Sequence, residues 1–176
     1  MPNTFELISS VTLASPASTV GFTSIPATFT DLCLVFSFRT TNSSSARAED
    51  SLVLALNGDT TGANYTMRYL RGNGSTAGSV APTGYSGTYV GEMNGSTSTA
   101  NTFTSGSIYL PNYTVAVNKS FSIDIVQEAN ATAAYMHLDA NLWSNTATVN
   151  QMTFSNYNSN TFATYSTAYL YGVKNA

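Results

Sequence analysis

The chain has 176 residues, 43% hydrophobic but only 9% charged, with a formal net charge of −3; ordinary soluble domains carry about 25% charged residues. Six lysines and arginines scattered along the sequence form no basic stripe to neutralise phosphates, which speaks against nucleic-acid binding. A chain of this length buries roughly 70% of its unfolded surface without metal or disulfide staples, so residues 1–176 read as one domain with a surface of Ser, Thr, Asn and Gly.

From the N-terminus, Met1, Pro2, Asn3 and Thr4 form a short arm that could add to a neighbouring sheet edge. No cationic leader followed by a hydrophobic block is visible, so no secretory signal is expected. No segment is long enough to span a bilayer as an apolar helix. Residues 5–13 and 19–24 read as strands. Residues 31–39 alternate Leu32, Leu34, Phe36 and Phe38 with Cys33, Val35 and Ser37, and because both sets are largely apolar the strand is expected to be central. Residues 51–57 repeat the alternation with Leu52, Leu54 and Leu56. Asn57-Gly58-Asp59 then supplies residues that accept positive φ, and residues 64–70 follow as the expected second strand of a hairpin.

Residues 72–100 are rich in Gly, Ser and Thr. They read as a long protruding loop with Tyr85 and Tyr89 as candidate partner contacts. Strand signals resume at 102–110, 120–127, 131–143, 148–155 and 161–173, with no helix of three turns anywhere. About ten strands cannot all bury their apolar faces in a single sheet. The expected fold is therefore all-β, two packed antiparallel sheets in a jelly-roll-like β-sandwich.

Reactive chemistry is poorly provided for. His137 is the sole imidazole and Cys33 the sole thiol, so the usual zinc, copper and haem ligand sets cannot be assembled in one chain, and no cofactor is expected. The turn Asn57-Gly58-Asp59 lacks the repeated carboxylates of a calcium loop. His137 sits on an alternating strand with Tyr135 and Asp139 on its own face, an arrangement more typical of packing than of base catalysis. Glycoside hydrolysis could use carboxylates alone, with Asp124 and Glu128 or Glu49 and Asp50 as candidate pairs, but spacing does not bring two of them face to face. Saccharide binding asks less. Tyr157, Tyr165, Tyr169 and Tyr171 could stack on sugar rings, with Asn156, Asn158 and Asn160 supplying amides, although tyrosine also favours strands for packing alone. Seven Asn-X-Ser/Thr sequons, beginning at Asn42, Asn64, Asn73 and Asn94, follow from a composition so rich in Ser, Thr and Asn.

Leu56-Asn57-Gly58-Asp59 followed by Asn64-Tyr65, then Tyr69-Leu70-Arg71-Gly72-Asn73-Gly74, resembles a pattern of small structural proteins of tailed bacteriophages, including those of cyanobacteria and other marine bacteria. Asn101-Thr102-Phe103, Leu142-Trp143-Ser144-Asn145-Thr146-Ala147, Met152-Thr153-Phe154 and Ala168-Tyr169-Leu170-Tyr171-Gly172-Val173-Lys174 extend the likeness from about residue 5 to residue 174. The resemblance implies a virion protein without a catalytic motif, either a capsid-decorating or cement protein or a tail fibre or adsorption component. Its implied partners are the major capsid protein or other virion proteins and further copies of itself, with a trimer favoured among oligomers. With no coiled-coil stalk or β-helix repeat in the sequence, decoration of the outer capsid surface is the leading expectation. A fibre or spike gripping host saccharide comes second, and a small carboxylate-dependent glycan hydrolase third.

Overall fold

The computed structural model describes residues 4–43, 49–130 and 134–174. Among them are twelve strands: β1 (Phe5–Thr12), β2 (Thr19–Phe22), β3 (Asp31–Phe38), β4 (Glu49–Leu56), β5 (Tyr65–Gly72), β6 (Ala77–Val80), β7 (Thr88–Asn94), β8 (Thr104–Leu110), β9 (Lys119–Gln127), β10 (Tyr135–Trp143), β11 (Met152–Asn156) and β12 (Thr167–Val173). They form an eight-stranded sheet in the order β1-β12-β3-β8-β9-β10-β5-β6 and a four-stranded sheet in the order β2-β11-β4-β7. All the strand pairings within the two sheets are antiparallel.

The strand order resolves the architecture. With β5, β6, β9 and β10 set aside, the sheets run first-eighth-third-sixth and second-seventh-fourth-fifth, the double Greek key of a jelly roll. The four strands set aside come from two insertions, one between β4 and β7 and one between β8 and β11. They pair with each other and widen one sheet of the jelly roll from four strands to eight.

The core lies where the sheets face each other. Inward-pointing Phe36 and Phe38 of β3 meet Phe154 of β11 with ring centroids 5.4 and 5.1 Å apart, and Phe162 closes the cluster 4.9 Å from Phe38. Such tilted and edge-on pairs add to the hydrophobic gain of burying the rings. The interior is too close-packed for larger residues at some positions. A Cβ at Gly106 would lie 2.5 Å from the Phe36 ring, so that strand passes beneath the aromatic cluster only as glycine.

Several expectations change. Residues 51–57 and 64–70 are not partners in a hairpin, because β4 pairs with β11 and β7 whereas β5 pairs with β10 and β6. Asn57 and Gly58, at φ 52° and 70°, turn the chain from one sheet to the other instead. The stretch 72–100 is not a protruding loop, since it holds β6 and the largely buried β7. A bulge hid β7 from a period-two reading: Leu52 pairs with Gly91 and Val53 with Tyr89, which leaves Val90 as the extra residue. The last strands are shorter than expected, β11 starting at Met152 and β12 at Thr167. In β10 the part of the expectation at 131–133 lies outside the described residues.

β7 also holds the inserted strands in place by a seam of polar pairs. Thr88 donates to Asn141 of β10, Gln127 of β9 donates to Asn94 Oδ1 at 2.6 Å, and His137 Nε2 of β10 lies 2.8 Å from Glu92 Oε2. Buried polar groups that must find specific partners fix one register where greasy surfaces would tolerate several.

Candidate interaction surface

One face of the eight-stranded sheet packs on the core, and strand alternation turns the other half of its side chains outward. The other sheet covers only the inner side. On the outer side, Leu70 of β5, Met136 and Leu138 of β10 and Val126 of β9 are 59%, 60%, 58% and 43% exposed. The register makes them neighbours: Leu138 is paired with Leu70 on one side and with Asp124 on the other, and Met136 with Val126. Toward the β1 edge the same face continues through Leu7, Tyr171, Cys33 and Tyr109, which lie in one row across β1, β12, β3 and β8. Scattered exposed apolar residues are ordinary, whereas a contiguous apolar sheet face on a monomer is not.

Between the aliphatic and aromatic halves lies a trough of about 580 Å³. Its floor is made of small outward residues, Ser120, Ser122 and Ala140, and its walls include Tyr109, Leu138 and Arg68. Exposed charge on the outward strand positions comes down to two residues among those described, Arg68 and Asp124. Asp31 also points this way but is buried, accepting hydrogen bonds from the Tyr109 hydroxyl at 2.6 Å and from the Asn112 amide at 2.8 Å. That bond, helped by burial, pushes the Tyr109 phenol up to about 12.

Titratable groups also meet in the buried polar seam. Burial works to raise the Glu92 carboxyl, but attraction to His137 and the Tyr89 hydroxyl outweighs it and holds the group below its ordinary value. Asp139, next inward residue after His137 on β10, has both carboxylate oxygens buried with no hydrogen-bond partner in the structure. Burial, then the negative charges of Glu92 and Asp124, push its carboxyl up to about 8. An imidazole flanked by two acids is a familiar catalytic grouping. Here His137 is 2% exposed and Asp139 3% exposed, beneath the sheet, so no substrate reaches them in this conformation. Among the described residues no group of three or more His, Cys, Asp and Glu is placed to hold a metal ion.

The residues singled out from sequence are scattered. Met1, Pro2 and Asn3 lie outside the described residues, and Thr4 is exposed with its carbonyl accepting the Lys174 amide at 3.0 Å. Tyr89, expected as a partner contact, is 2% exposed in the core. Tyr85 is half-buried, its ring 5.0 Å from Tyr89 and 4.8 Å from Tyr157. The four C-terminal tyrosines do not form one platform. Tyr169 and Tyr171 share the outward face of β12, Tyr157 packs on Tyr85 beyond β11, and Tyr165 sits at φ 70° in the turn before β12. Nor are the nearby amides all free for sugar, since Asn158 and Asn160 donate to the buried Asp50 carboxylate at 2.9 and 2.8 Å. The expected hydrolase pair, Asp124 and Glu128, is spread along β9 and its exit, roughly 13 Å apart along the backbone at strand rise, and the Glu128 carboxylate accepts the Asn130 amide at 2.6 Å. Asp50 of the other pair is occupied by those amides, Thr40 and the Ser51 amide.

The apolar outward row could have been suspected from Leu70, Met136 and Leu138, which interrupt otherwise polar positions. Only the strand pairing shows that they adjoin. No helix is long and apolar enough to cross a membrane among the described residues. Comparison with models of known protein families, with curated proteins and with solved structures finds no match.

Proposed function

We propose that this chain is a non-enzymatic structural protein of a bacteriophage virion, a capsid decoration or cement protein that binds the outer shell surface as an oligomer. The observation that carries this reading is the open apolar face of the eight-stranded sheet, with Leu70, Leu138 and Met136 side by side. A protein that works alone in water gains nothing from such a face, whereas a subunit gains the free energy of covering it. Two further features support it. A surface of short polar side chains loses little rotamer entropy when packed against neighbours. The edge strand β1 leaves one side of its backbone open to a neighbouring chain. Many weak contacts repeated over a lattice hold a shell through avidity.

The test is to purify capsids that lack tails and assay them for this protein. Stoichiometric retention, with shells that become more heat-labile when the protein is absent, is the expected result. Its presence only in tail fractions would overturn the proposal.

One observation favours a second reading, an adsorption module for host saccharide. Tyr171 and Tyr109 flank Cys33 in one outward row and Tyr169 stands one pleat away, which sets three rings on the same side of the sheet. A glycan array with a reproducible hit, lost in Tyr109→Ala and Tyr169→Ala, would favour it.

A further inference from the structure

We propose that the outward face of the eight-stranded sheet pairs two copies of this chain about a two-fold axis that runs along β10. The proposal deepens the reading of this face as a subunit contact by naming its occupant, and it leaves the sheet edges for the shell.

Self-complementarity of charge points to a second copy. β10 lies between β5 and β9. A rotation of 180° about β10 therefore lays β5 of one copy over β9 of the other, and the reverse. Arg68 stands on β5 opposite Ala140, and Asp124 stands on β9 opposite Leu138. The rotation carries Arg68, the one exposed cation on an outward strand position among the described residues, to the strand of the partner that bears Asp124, the one exposed acid on such a position. They are offset by one pleat, about 7 Å, between sheets about 10 Å apart, roughly 12 Å between backbones, which the extended arginine and aspartate side chains span together once Arg68 Nη1 leaves the Met67 carbonyl it bonds at 2.7 Å. Two such pairs flank the axis, and Leu138 and Ala140 on the axis meet their own counterparts. A closed isologous contact of this kind needs one patch that matches itself.

The copies overlap from β6 to β8, where Leu70, Tyr109, Val126, Met136 and Leu138 are each roughly half exposed. At about 100 Å² each they cover about 500 Å² per partner, below the about 800 Å² of a standard interface and the size of a weak, reversible contact. The rotation lays the partner's Arg68 over Ser122, on the small-residue floor of the trough, and the partner's Leu70 over the Asp124 position. Burial of the aliphatic row supplies the attraction, and the Arg68–Asp124 pairs fix the register and exclude wrong partners.

Sedimentation of the full chain over a range of concentrations tests this. The wild type is expected to form a dimer. Arg68→Asp and Asp124→Arg should each weaken it about tenfold or more, the double variant should regain most of the loss, and Leu138→Asp should leave monomers with an unchanged circular dichroism spectrum. Because all three positions point outward, the charge reversals keep the proposal testable even if Leu138→Asp fails to fold. A wild type that stays monomeric or forms trimers, or a double variant no tighter than the two single effects combined, would overturn it. Failure of dimerisation with capsid binding intact removes this pairing alone, whereas a dimer that does not bind capsids removes the virion reading alone.

Discussion

The indole Nε1 of Trp143 donates a hydrogen bond of 2.8 Å to Asp59 Oδ2, joining residues 84 apart in sequence. The same carboxylate accepts from Asn64 Nδ2 at 2.8 Å and from the Thr61 amide at 2.9 Å, and the Asp59 carbonyl accepts from the Tyr65 hydroxyl at 3.0 Å. Tyr65 in turn accepts the Leu56 amide, and Asn57 bonds across to Thr148, Asn150 and Gln151. The residues Asn57, Asp59, Asn64, Tyr65 and Trp143 are thus a staple that fastens the crossing between sheets to β10.

Removing one donor from that staple costs stability. Trp143→Phe should lower the free energy of unfolding in urea by at least about 1.5–3 kcal/mol, the range for a hydrogen bond to a charged group, since the smaller ring also leaves a void at a buried position. In a double-mutant cycle with Asp59→Asn, the effects should fall short of additivity. The Trp143 bond, opposed by slight burial and helped by Asn64 and Thr61, lowers the Asp59 carboxyl to about 2. Below an ordinary carboxylate value of about 3.9 the unfolded chain takes up the proton first. The stability from Asp59 is therefore fully present above about pH 4 and drains away between pH 4 and 2, a slope that Asp59→Asn should abolish.

Asp139 predicts the opposite slope. Its carboxyl is raised to about 8, burial being the main cause, so the folded chain holds a proton that the unfolded chain releases near pH 4. Its contribution is complete at acid pH, declines as pH rises from about 4 to 8, and is then flat. Asp139→Asn, which keeps the neutral shape, should lose this decline in thermal unfolding across that range. Equal pH slopes in the two proteins would show that the carboxyl is ionised inside the fold.

Gly91 should resist substitution. Its φ is 145°, and an added Cβ would lie 2.8 Å from Ile125 Cγ2 and 3.0 Å from its Cδ1. Gly91→Ala should therefore destabilise by about 1–3 kcal/mol, the range for an overpacked core. In a double-mutant cycle with Ile125→Ala, which adds a cavity cost of its own, the coupling read by chemical denaturation should equal the steric part and leave the backbone strain.

Asn160 separates packing from sugar binding. It donates at 2.8 Å to the Asp50 carboxylate, which is 1% exposed. Asn160→Ala should cost about 1.5–3 kcal/mol of stability, because a buried charge loses a donor, and should leave any glycan affinity of the folded protein unchanged. A weakened glycan hit with unaltered stability would restore the amide to the role first expected of it.

Fold class was legible in the sequence because the inward positions of β3, β4 and β9 alternate cleanly: Leu32, Leu34 and Phe36, then Leu52 and Leu54, then Phe121, Ile123 and Ile125. β7 was not, since its bulge at Val90 breaks the period and all but Glu92 of its residues are buried. The supposed hairpin failed for a different reason. A turn at Asn57-Gly58 specifies a reversal, and which sheet receives the next strand depends on partners far along the chain, β11 for one strand and β10 for the other. Hydrophobicity likewise marks Leu70 and Leu138 as apolar, but strands that would be buried on both faces in a larger protein here have one face open. Local pattern gives the alternation of a strand without saying what covers each side.

A reconstruction by electron cryomicroscopy of the virion proposed to carry this chain tests most directly whether this face is made to be covered. The expected density is this jelly roll on the outer shell, with Leu70, Met136 and Leu138 sealed against protein. A shell without such density, or subunits whose wide sheet faces open solvent, would contradict the account.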